Sequence, residues 1–249
     1  KKNFICPKPI PNKNSKYISD IQGKKFMIVS HLEGKSKKNL SPSDCKIVGR
    51  ESAKLHEITK RFHFKRQNDF SVKSWRKIFE QVKDECSKIH SELPKLIEGN
   101  LIDVEKNWPN NLPSGIIHAD LFDDNIFFKN NKFSGFIDFY FSSNDFFMYE
   151  IAICVNALCF DKKNRKFHLN KNKVKNFING YKSVRKISIK EKNSLNILCK
   201  GAAMRYLLTR IYDYFNTPKN AYIKIKDPKE YFQKLVIHNK LNKFEDYLR

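Results

Sequence analysis

The stretch from residue 115 to residue 139 constrains the fold of this 249-residue chain more than any other part of it. Its first four residues, Gly-Ile-Ile-His, predict a short buried strand, and residues 125–139 predict a β-hairpin with a turn rich in lysine and asparagine. Polar side chains mark the strand ends: Asp120 follows the first strand, Asn125 begins the hairpin and Asp138 ends it. The spacing therefore predicts that these three side chains converge at one mouth.

Asp120, Asn125 and Asp138 are the residue types that phosphoryl transfer requires. The reaction needs positioning and charge neutralisation, with one carboxylate to hold the attacking hydroxyl and accept its proton. Mg²⁺ needs oxygen ligands that hold it against the phosphates of ATP. We assign Asp120 as the catalytic residue and Asn125 and Asp138 as metal ligands, the arrangement of protein-kinase-like enzymes. The alternative is that Asp120 and Asn125 are only loop and turn formers and Asp138 an ordinary hairpin residue. His118 is interpreted as a brace for the loop, with proton acceptance as its alternative role.

Lysine accounts for most of a large positive charge. The chain has 49 Lys and Arg against 26 Asp and Glu, a formal net charge of +23, and lysines outnumber arginines 40 to 9. Proteins that read nucleic acids favour arginine, whose planar fork matches bases and phosphates. Because the lysines are scattered and 25 asparagines accompany them, we interpret the charge as coding bias. We predict neither a nucleic-acid partner nor a membrane partner, with a functional basic surface as the alternative.

Apolar content and cysteine use indicate the class of protein. Hydrophobic residues make up 40% and aromatic residues 13% of the chain, too much for a disordered chain. The chain contains no run of 18 apolar residues, so no membrane span is predicted. Its first residues do not form the apolar segment of a signal peptide. Six cysteines without a C-x-x-C pair favour free thiols in a reducing compartment. We therefore predict a folded cytoplasmic protein, and the sequence makes no prediction of its oligomeric state.

The rest of the chain predicts a small β-rich piece followed by a mostly helical body, and so an α+β fold. A hairpin is predicted over residues 17–30 around a Gln22-Gly23 turn. Ser41 and Ser188 are predicted N-caps, the second within a capping box. Helices are predicted from Ser41, over 75–97, over 101–108, after Phe146, from Ser188 to about Phe215, and over 228–248.

The central block carries a family resemblance. Residues 118–128 read His-Ala-Asp-Leu-Phe-Asp-Asp-Asn-Ile-Phe-Phe, and residues 133–141 read Phe-Ser-Gly-Phe-Ile-Asp-Phe-Tyr-Phe. Together they resemble the bacterial homoserine kinases of the aminoglycoside-phosphotransferase-like superfamily. Residues 144–160, 201–210 and 226–231 agree with the same family, so the resemblance covers essentially the whole chain.

The resemblance implies a protein-kinase-like two-lobe fold with a partial β-rich N-lobe and a mostly helical C-lobe. It places the remaining part of the N-lobe at residues 1–30, a hinge at 31–36 and the C-lobe at 37–249. The implied reaction uses ATP and Mg²⁺ to convert L-homoserine into O-phospho-L-homoserine in threonine biosynthesis. Hinge backbone groups are expected to receive the adenine, unless they form an ordinary strand-to-helix connection: those of Ser30, His31 and Leu32.

Three features depart from the family pattern. One is a surface richer in lysine and asparagine than usual, which we again interpret as coding bias. By resemblance, residue 1 falls near the end of a helix of the N-lobe. The glycine-rich loop and the lysine that bind the ATP phosphates would then precede it, and we expect the chain as given to bind ATP weakly or not at all. Glu150 occupies a position where the family pattern prefers aspartate. Glutamate keeps the negative charge but has a longer side chain.

The acceptor pocket of such an enzyme has to bind a zwitterion. The carboxylate of homoserine favours arginine, and its ammonium favours an acid or a carbonyl oxygen. Arg205 and Arg210 lie in an apolar stretch, where charges need partners. We predict the carboxylate of homoserine as one partner; the alternative is a structural ion pair, for example with Glu150 or Asp213.

The segment after Asp138 is predicted to contribute further to the acceptor pocket. Its three candidate lining residues are Tyr140, Asn144 and Asp145. By contrast, Trp75 and Tyr206 are predicted to be core residues, because large aromatic side chains at helical spacing are usually buried for packing.

Two other functions compete with the homoserine kinase interpretation. The first is another small-molecule kinase of the same superfamily, acting on choline, an aminoglycoside or a methylthioribose-like sugar; an acidic acceptor pocket would favour it. The second is an inactive remnant that serves as a basic binding module. The intact set of Asp120, Asn125 and Asp138 argues against the second, because a binding module has no need of it.

Overall fold

Short strands precede the first long helix and also frame the Asp120 loop. A computed structural model describes residues 4–63, 65–218, 220–222 and 224–249. The strands are β1 (Pro9–Ile10), β2 (Ser19–Ile21), β3 (Lys24–Phe26), β4 (Ile28–Val29), β5 (Lys35–Ser36), β6 (Ser114–Ile117), β7 (Ile126–Lys129), β8 (Lys132–Phe136), β9 (Ser143–Phe146), β10 (Phe160–Lys163) and β11 (Lys166–Leu169). The helices are α1 (Pro42–Thr59), α2 (Val72–Ile89), α3 (Leu93–Asn107), α4 (Phe147–Leu158), α5 (Lys171–Lys182), α6 (Ile189–Asn193), α7 (Leu195–Asn216) and α8 (Lys229–His238).

Strands β1 to β4 form two small antiparallel ladders. Ser19 pairs with Phe26 across a Gln22-Gly23 turn, so the predicted turn is confirmed, but the hairpin ends at Phe26 and Ile28–Val29 pairs with β1 instead. Both turn residues have positive φ, 52° and 76°, as tight two-residue hairpin turns require. β1 pairs with β4. The connection to the helical body begins at residue 30, directly after β4.

The connection from β4 to α1 crosses the β7–β8 hairpin. β5 pairs with β7, which pairs with β8, so the three strands form one antiparallel sheet. Gly34 has a φ of 120°, and a Cβ there would lie 2.8 Å from the carbonyl oxygen of Phe128, so glycine permits this close crossing. Lys129 pairs with Glu33, which further fixes the connection to the hairpin that carries the predicted metal ligands.

Helices α4 and α7 form the centre of the helical body. α7 packs against α2, α3, α4 and α8. Trp75 of α2 meets Trp108 edge to face, with ring centroids 5.2 Å apart, and Trp108 meets Tyr149 of α4 at 5.6 Å. Trp75 is completely buried, as predicted. Because α4 follows β9 directly and contacts β6, this core supports the Asp120 loop from the buried side.

Helices α1 and α5 approach each other through two glycines. A Cβ on Gly49 of α1 would overlap the carbonyl oxygen of Phe177, and one on Gly180 of α5 would overlap that of Lys46. The atoms in the way are backbone atoms, which cannot move aside without separating the helices. A residue without a side chain is therefore required at both crossing points.

We expect Gly49→Ala to destabilise the protein by about 1–3 kcal/mol or more, because overpacking against backbone forces the helices apart. Gly99→Ala in α3 is the matched control. A Cβ at Gly99 meets nothing within 4 Å, so alanine should stabilise that helix by about 0.5–1 kcal/mol. Thermal unfolding of both variants measures the difference, and equal melting temperatures would contradict the described crossing of α1 and α5.

Helix starts match the sequence better than helix ends and breaks. The Ser41 and Ser188 caps are confirmed, each in a capping box. The helix predicted over 75–97 is wrong: α2 ends at Ile89, His90 is extended, and α3 begins at Leu93. Pro94, in the first turn of α3, cannot lie inside one continuous helix.

Two other element predictions need correction. The helix predicted from Ser188 to Phe215 is interrupted at Ser194, which separates α6 from α7. The β10–β11 hairpin was not predicted; its turn residues Asn164 and Arg165 have positive φ, 48° and 63°. Among the described residues, no helix is long and apolar enough to cross a membrane.

Candidate active site

Asp120 lies just after β6, on the loop that leads to β7. The Tyr206 hydroxyl of α7 donates to Oδ1 of Asp120 at 3.3 Å, and Nδ2 of Asn125 donates to Oδ2 at 3.3 Å. The same Asn125 group donates to the carbonyl oxygen of Asp120 at 2.9 Å. Donors from two different elements thus orient both carboxylate oxygens.

Ala119, the residue before Asp120, is clamped in a left-handed conformation. Its φ is 65°, which costs a residue with a side chain about 1–2 kcal/mol. Its carbonyl oxygen accepts hydrogen bonds from Nη1 of Arg205 at 2.8 Å and from the Tyr206 hydroxyl at 3.0 Å. Its N–H donates to Glu150 at 3.1 Å. Because both backbone groups of Ala119 are held, the turn that aims Asp120 is fixed.

Glu150 of α4 anchors this loop from the buried side. Its carboxylate accepts hydrogen bonds from the backbone N–H groups of His118 and Ala119, and the residue is fully buried. Burial raises the pKa of Glu150 to about 7, although both N–H donors and Arg205 act in the opposite direction. Neither Arg205 nor Arg210 forms an ion pair with it among the described residues. Glu150 is therefore a positioning residue for the loop.

Glu150 makes the stability of the protein dependent on pH. Its pKa in the folded state, about 7, lies above the ordinary value of 4.5, so its contribution is full below about 4.5 and is lost as the pH rises through about 7. We expect Glu150→Gln, which does not titrate, to gain roughly 2–3 kcal/mol relative to the wild type between pH 5 and pH 8. Unfolding curves across this range measure it, and a difference that does not change with pH would contradict the shifted pKa.

His118 braces the same loop. Its Nε2 lies 2.8 Å from the carbonyl oxygen of Ile137, and its ring packs against Phe139 with centroids 4.6 Å apart. Burial lowers the pKa of His118 to about 4, so the imidazole is neutral near pH 7. The hydrogen-bonded brace predicted for His118 is thus present, and it ties the Asp120 loop to the residue before Asp138.

Asn125 and Asp138 meet across the β7–β8 hairpin. The Ile137 N–H donates to the carbonyl oxygen of Asn125 at 3.0 Å, so Asp138 follows directly. Asp138 has a φ of 60° and caps a short 3₁₀ turn by accepting from the Tyr140 N–H at 3.4 Å. Because Nδ2 of Asn125 faces Asp120, its Oδ1 is the atom that can contact a metal ion. These contacts therefore place the three predicted residues at the same end of the β7–β8 hairpin, the predicted mouth.

The donor set at this mouth fits Mg²⁺. One amide oxygen and one carboxylate are hard oxygen ligands of the kind that Mg²⁺ accepts. Within residues 4–249, apart from the three gaps named above, no group of three or more His, Cys, Asp or Glu side chains is placed to hold a metal.

Two cavities meet at Asp120. The larger, about 450 Å³, lies between α2 and α7 and has aromatic walls that include Phe70 and Phe141. The smaller, about 290 Å³, lies between α7 and residues 224–226. Both are also lined by Tyr206, Thr209 and Asp213, which lie along one face of α7. A small molecule in either cavity can therefore reach the Asp120 carboxylate.

Opposing effects set the charge of Asp120. Burial raises the pKa of Asp120, whereas the positive charges of Arg205 and Lys226 and the Tyr206 hydroxyl lower it. A carboxylate that is poorly hydrated yet close to cations is suited to accept a proton from a substrate hydroxyl. Tyr206, predicted as a core residue, is buried as expected, but its hydroxyl belongs to this site.

The two arginines have different surroundings. Arg205 is 4% exposed; besides donating to Ala119, its guanidinium stacks near the rings of Phe70 and Tyr206, 5.4 Å and 4.8 Å from their centroids. It lines the larger cavity. Arg210 lines the smaller cavity and pairs with Glu230 at 2.8 Å. The ion-pair partner of Arg210 is thus Glu230, rather than Glu150 or Asp213.

The predicted residues that follow Asp138 hold a neighbouring loop. Asn144 exchanges two hydrogen bonds with the backbone of Arg66, at 2.7 Å and 2.8 Å. Asp145 accepts from Asn68 at 2.8 Å. Nη1 of Arg66 donates to the carbonyl oxygen of Tyr140, whose side chain is exposed. These contacts fix the segment that carries Phe70, a wall of the larger cavity. Phe70 was not predicted as a site residue, because no local motif marks it.

The predicted hinge residues lie beside the β7–β8 hairpin. The Ser30 N–H donates to the carbonyl oxygen of Lys8 at 2.8 Å, which extends the β1–β4 ladder. Leu32 lies close to Gly135 of β8, where a Cβ would meet the Leu32 side chain at 2.9 Å. His31 is exposed. The hinge segment and the metal-ligand hairpin are therefore in direct contact.

Comparison with known proteins gives concordant matches. A family model described as the phosphotransferase enzyme family matches residues 4–170. A homoserine kinase of Methylobacterium radiotolerans is 38% identical over 248 residues, which cover 100% of this chain and 76% of that protein. A homoserine kinase of Paramagnetospirillum magneticum is 41% identical over 241 residues, 94% of this chain and 73% of that protein.

A solved structure supports the predicted fold. The amicoumacin kinase solved in complex with AMP-PNP and Ca²⁺ aligns with a TM-score of 0.68 at 13% sequence identity. The alignment covers 98% of this chain and 76% of the amicoumacin kinase. At this identity the likeness concerns the fold alone, and it confirms the mixed helix and strand, protein-kinase-like class predicted from the sequence.

Proposed function

Because this chain belongs to the phosphotransferase enzyme family and, within it, to the homoserine kinases, we propose that it transfers the terminal phosphoryl group of ATP to the hydroxyl of L-homoserine. The products are ADP and O-phospho-L-homoserine, an intermediate of threonine biosynthesis. The observation that carries the proposal is the Asp120 carboxylate, fixed by Tyr206 and Asn125 where two cavities meet.

Asp120 acts as the catalytic base in this proposal. It accepts a hydrogen bond from the acceptor hydroxyl and takes the proton as the oxygen attacks phosphorus. The oxygen–phosphorus bond to the acceptor forms while the bond to ADP breaks. The Ala119 clamp keeps the carboxylate in line with the acceptor, so most of the catalytic contribution of the loop is positioning.

Mg²⁺ is the metal that we propose for the site. Oδ1 of Asn125 and the carboxylate of Asp138 are its protein ligands, since they are the hard oxygen donors that the hairpin brings together. Bound Mg²⁺ supplies charge neutralisation at the phosphates. Asp138 keeps its backbone position through the contact with the Tyr140 N–H.

The hinge is proposed to receive the adenine of ATP. The N–H of Ser30 is already bonded to Lys8, so we assign the adenine contacts to the backbone groups of His31 and Leu32, with Ser30 holding the strand before them. The proposed domain limits are unchanged from the sequence: N-lobe 1–30, hinge 31–36 and C-lobe 37–249.

The acceptor is proposed to bind at the Asp120 end of the two cavities. Arg205 forms a positive wall of the larger cavity, and Arg210 supports the smaller one through its ion pair. Tyr140, Asn144 and Asp145 contribute indirectly, because they hold the segment that carries Phe70. Their hydrogen bonds to the segment of residues 66–68 support a role in shaping the pocket rather than in binding the acceptor directly.

Location and partners follow from the surface and the thiols. All six cysteines are free, which supports a reducing compartment, and we propose the cytoplasm. We also infer that the basic surface serves neither nucleic acid nor membrane, since its charge comes from scattered lysines rather than an arginine-rich patch. ATP and L-homoserine are the partners that remain.

An acceptor panel tests this proposal. The full-length protein is supplied with ATP, Mg²⁺ and one acceptor at a time: L-homoserine, L-serine, L-threonine or choline. ADP release that depends on L-homoserine is the expected result. Release with choline alone would keep the site and replace the substrate, and no release with any acceptor would refute the proposed function.

A further inference from the structure

Among the described residues, the smaller cavity has three cations and two acids on its walls. The cations are Arg210, Lys224 and Lys226, and the acids are Asp120 and Asp213. Arg210 is already neutralised by Glu230. Lys224 and Lys226 are the other cations, and they line the same cavity as the proposed base.

The segment of residues 224–227, here called the strap, is fixed over α7. Nη1 of Arg210 donates to the carbonyl oxygen of Asp227 at 3.2 Å, and Oδ1 of Asp227 accepts from the Lys229 N–H at 2.8 Å. The ion pair of Arg210 with Glu230 holds α8 at the same point. Lys226, next to Asp227, is consequently held beside the Asp120 loop.

Lys226 lines the cavity of the base, and its ionic contact within the described residues is loose. Its Nζ lies 4.9 Å from the centroid of the Phe122 ring and 3.8 Å from Oδ2 of Asp124. Both members of that ion pair are more than half exposed, so the pair contributes little free energy and exchanges easily with another anion. Its charge also acts on Asp120, since it lowers the pKa of that carboxyl.

We infer that Lys226 determines acceptor specificity by binding the carboxylate of the amino-acid substrate. The inference rests on the proposed function and deepens it. The acceptor hydroxyl and carboxylate are separated by four single bonds, about 5 Å when extended, so one molecule in the smaller cavity can reach both Asp120 and Lys226. Arg205 is a weaker candidate, because its guanidinium is buried among rings and bound to Ala119.

The proposed role of Lys226 predicts which acceptor molecules it should distinguish. An amino alcohol such as 3-aminopropan-1-ol has the hydroxyl and ammonium of homoserine but no carboxylate. Its hydroxyl can bind to Asp120, but it has no carboxylate to bind to Lys226. The lysine should therefore favour the amino acid over the amino alcohol, mainly through binding of the acceptor.

Lys226→Met in the full-length protein tests the inference. A charged hydrogen bond lost to a methionine of similar length should lower kcat/KM for L-homoserine roughly 10- to 100-fold, mainly through KM. The value for 3-aminopropan-1-ol should change much less, only through the effect of Lys226 on the pKa of Asp120, and the KM for ATP should not change. Lys226→Arg should restore part of the loss, and Lys229→Met, on the exposed start of α8, is the matched control that should leave both substrates unaffected.

Three results would overturn the inference. Equal losses with both acceptors would place Lys226 at the transferred phosphate or in the structure of the site. No loss with either acceptor would assign the carboxylate to another cation. A wild-type protein that phosphorylates only 3-aminopropan-1-ol would refute the proposed function itself, and this outcome is visible before any variant is made.

Discussion

Asp120→Asn is expected to lower kcat roughly 10²- to 10⁴-fold, the range that a positioned general base contributes. Asparagine has the same shape: its amide oxygen can accept from Nδ2 of Asn125 while its amide N–H donates to the Tyr206 hydroxyl oxygen. It cannot accept the proton of the acceptor hydroxyl. The KM for ATP should therefore stay close to the wild-type value, and steady-state kinetics with the full-length protein separates the two parameters.

A matched exchange elsewhere controls for the loss of a carboxylate. Asp103 of α3 is paired with Lys200 at 2.9 Å, on the opposite side of α7 from Asp120. Asp103→Asn should change stability and leave kcat near the wild-type value. If Asp120→Asn turned over as fast as Asp103→Asn, the assignment of Asp120 as the base would be wrong.

Asp138→Asn is expected to remove most of the dependence of ATP binding on Mg²⁺. Asparagine tolerates the left-handed φ of 60° at this position, so the backbone should remain in place while the metal loses its charged ligand. Several kcal/mol of charge stabilisation depend on the ion, which corresponds to a fall in kcat/KM of at least about 10³-fold. Calorimetric titration of ATP with and without Mg²⁺ measures the binding term.

Two controls separate metal loss from misfolding. Binding of ATP without Mg²⁺ should be the same in wild type and in Asp138→Asn, because the hinge contacts do not involve Asp138. Asp138→Ala should melt at a lower temperature than Asp138→Asn, since alanine tolerates positive φ less well. An Asp138→Asn protein whose ATP affinity still rises with Mg²⁺ as in the wild type would contradict the metal assignment.

Local signals in the sequence predict the local parts of the site. The hairpin from Asn125 to Asp138 and the contact between Asp120 and Asn125 each depend on residues that are close in the sequence. Such short-range interactions leave a recognisable pattern. They place the three residues at the same end of the hairpin, and the metal role of Asn125 and Asp138 stays a prediction.

The partners of the buried charges could not be predicted in this way. Arg205 bonds Ala119, 86 residues earlier in the chain, and Arg210 pairs with Glu230. Which cation meets which anion depends on how helices pack, and packing over such separations has no local pattern. The same reason explains Tyr206, whose aromatic ring predicts burial while its hydroxyl contact with Asp120 follows only from the position of α7.

Identification of the phosphorylated product tests the central claim most directly. Phosphorus NMR of the full-length protein with ATP, Mg²⁺ and excess L-homoserine should show one new phosphomonoester resonance that grows as ATP is consumed. Its coupling to the methylene protons should identify the terminal oxygen of homoserine as the site of transfer, and Asp120→Asn should abolish it. Consumption of ATP to inorganic phosphate alone, or no consumption at all, would contradict the account.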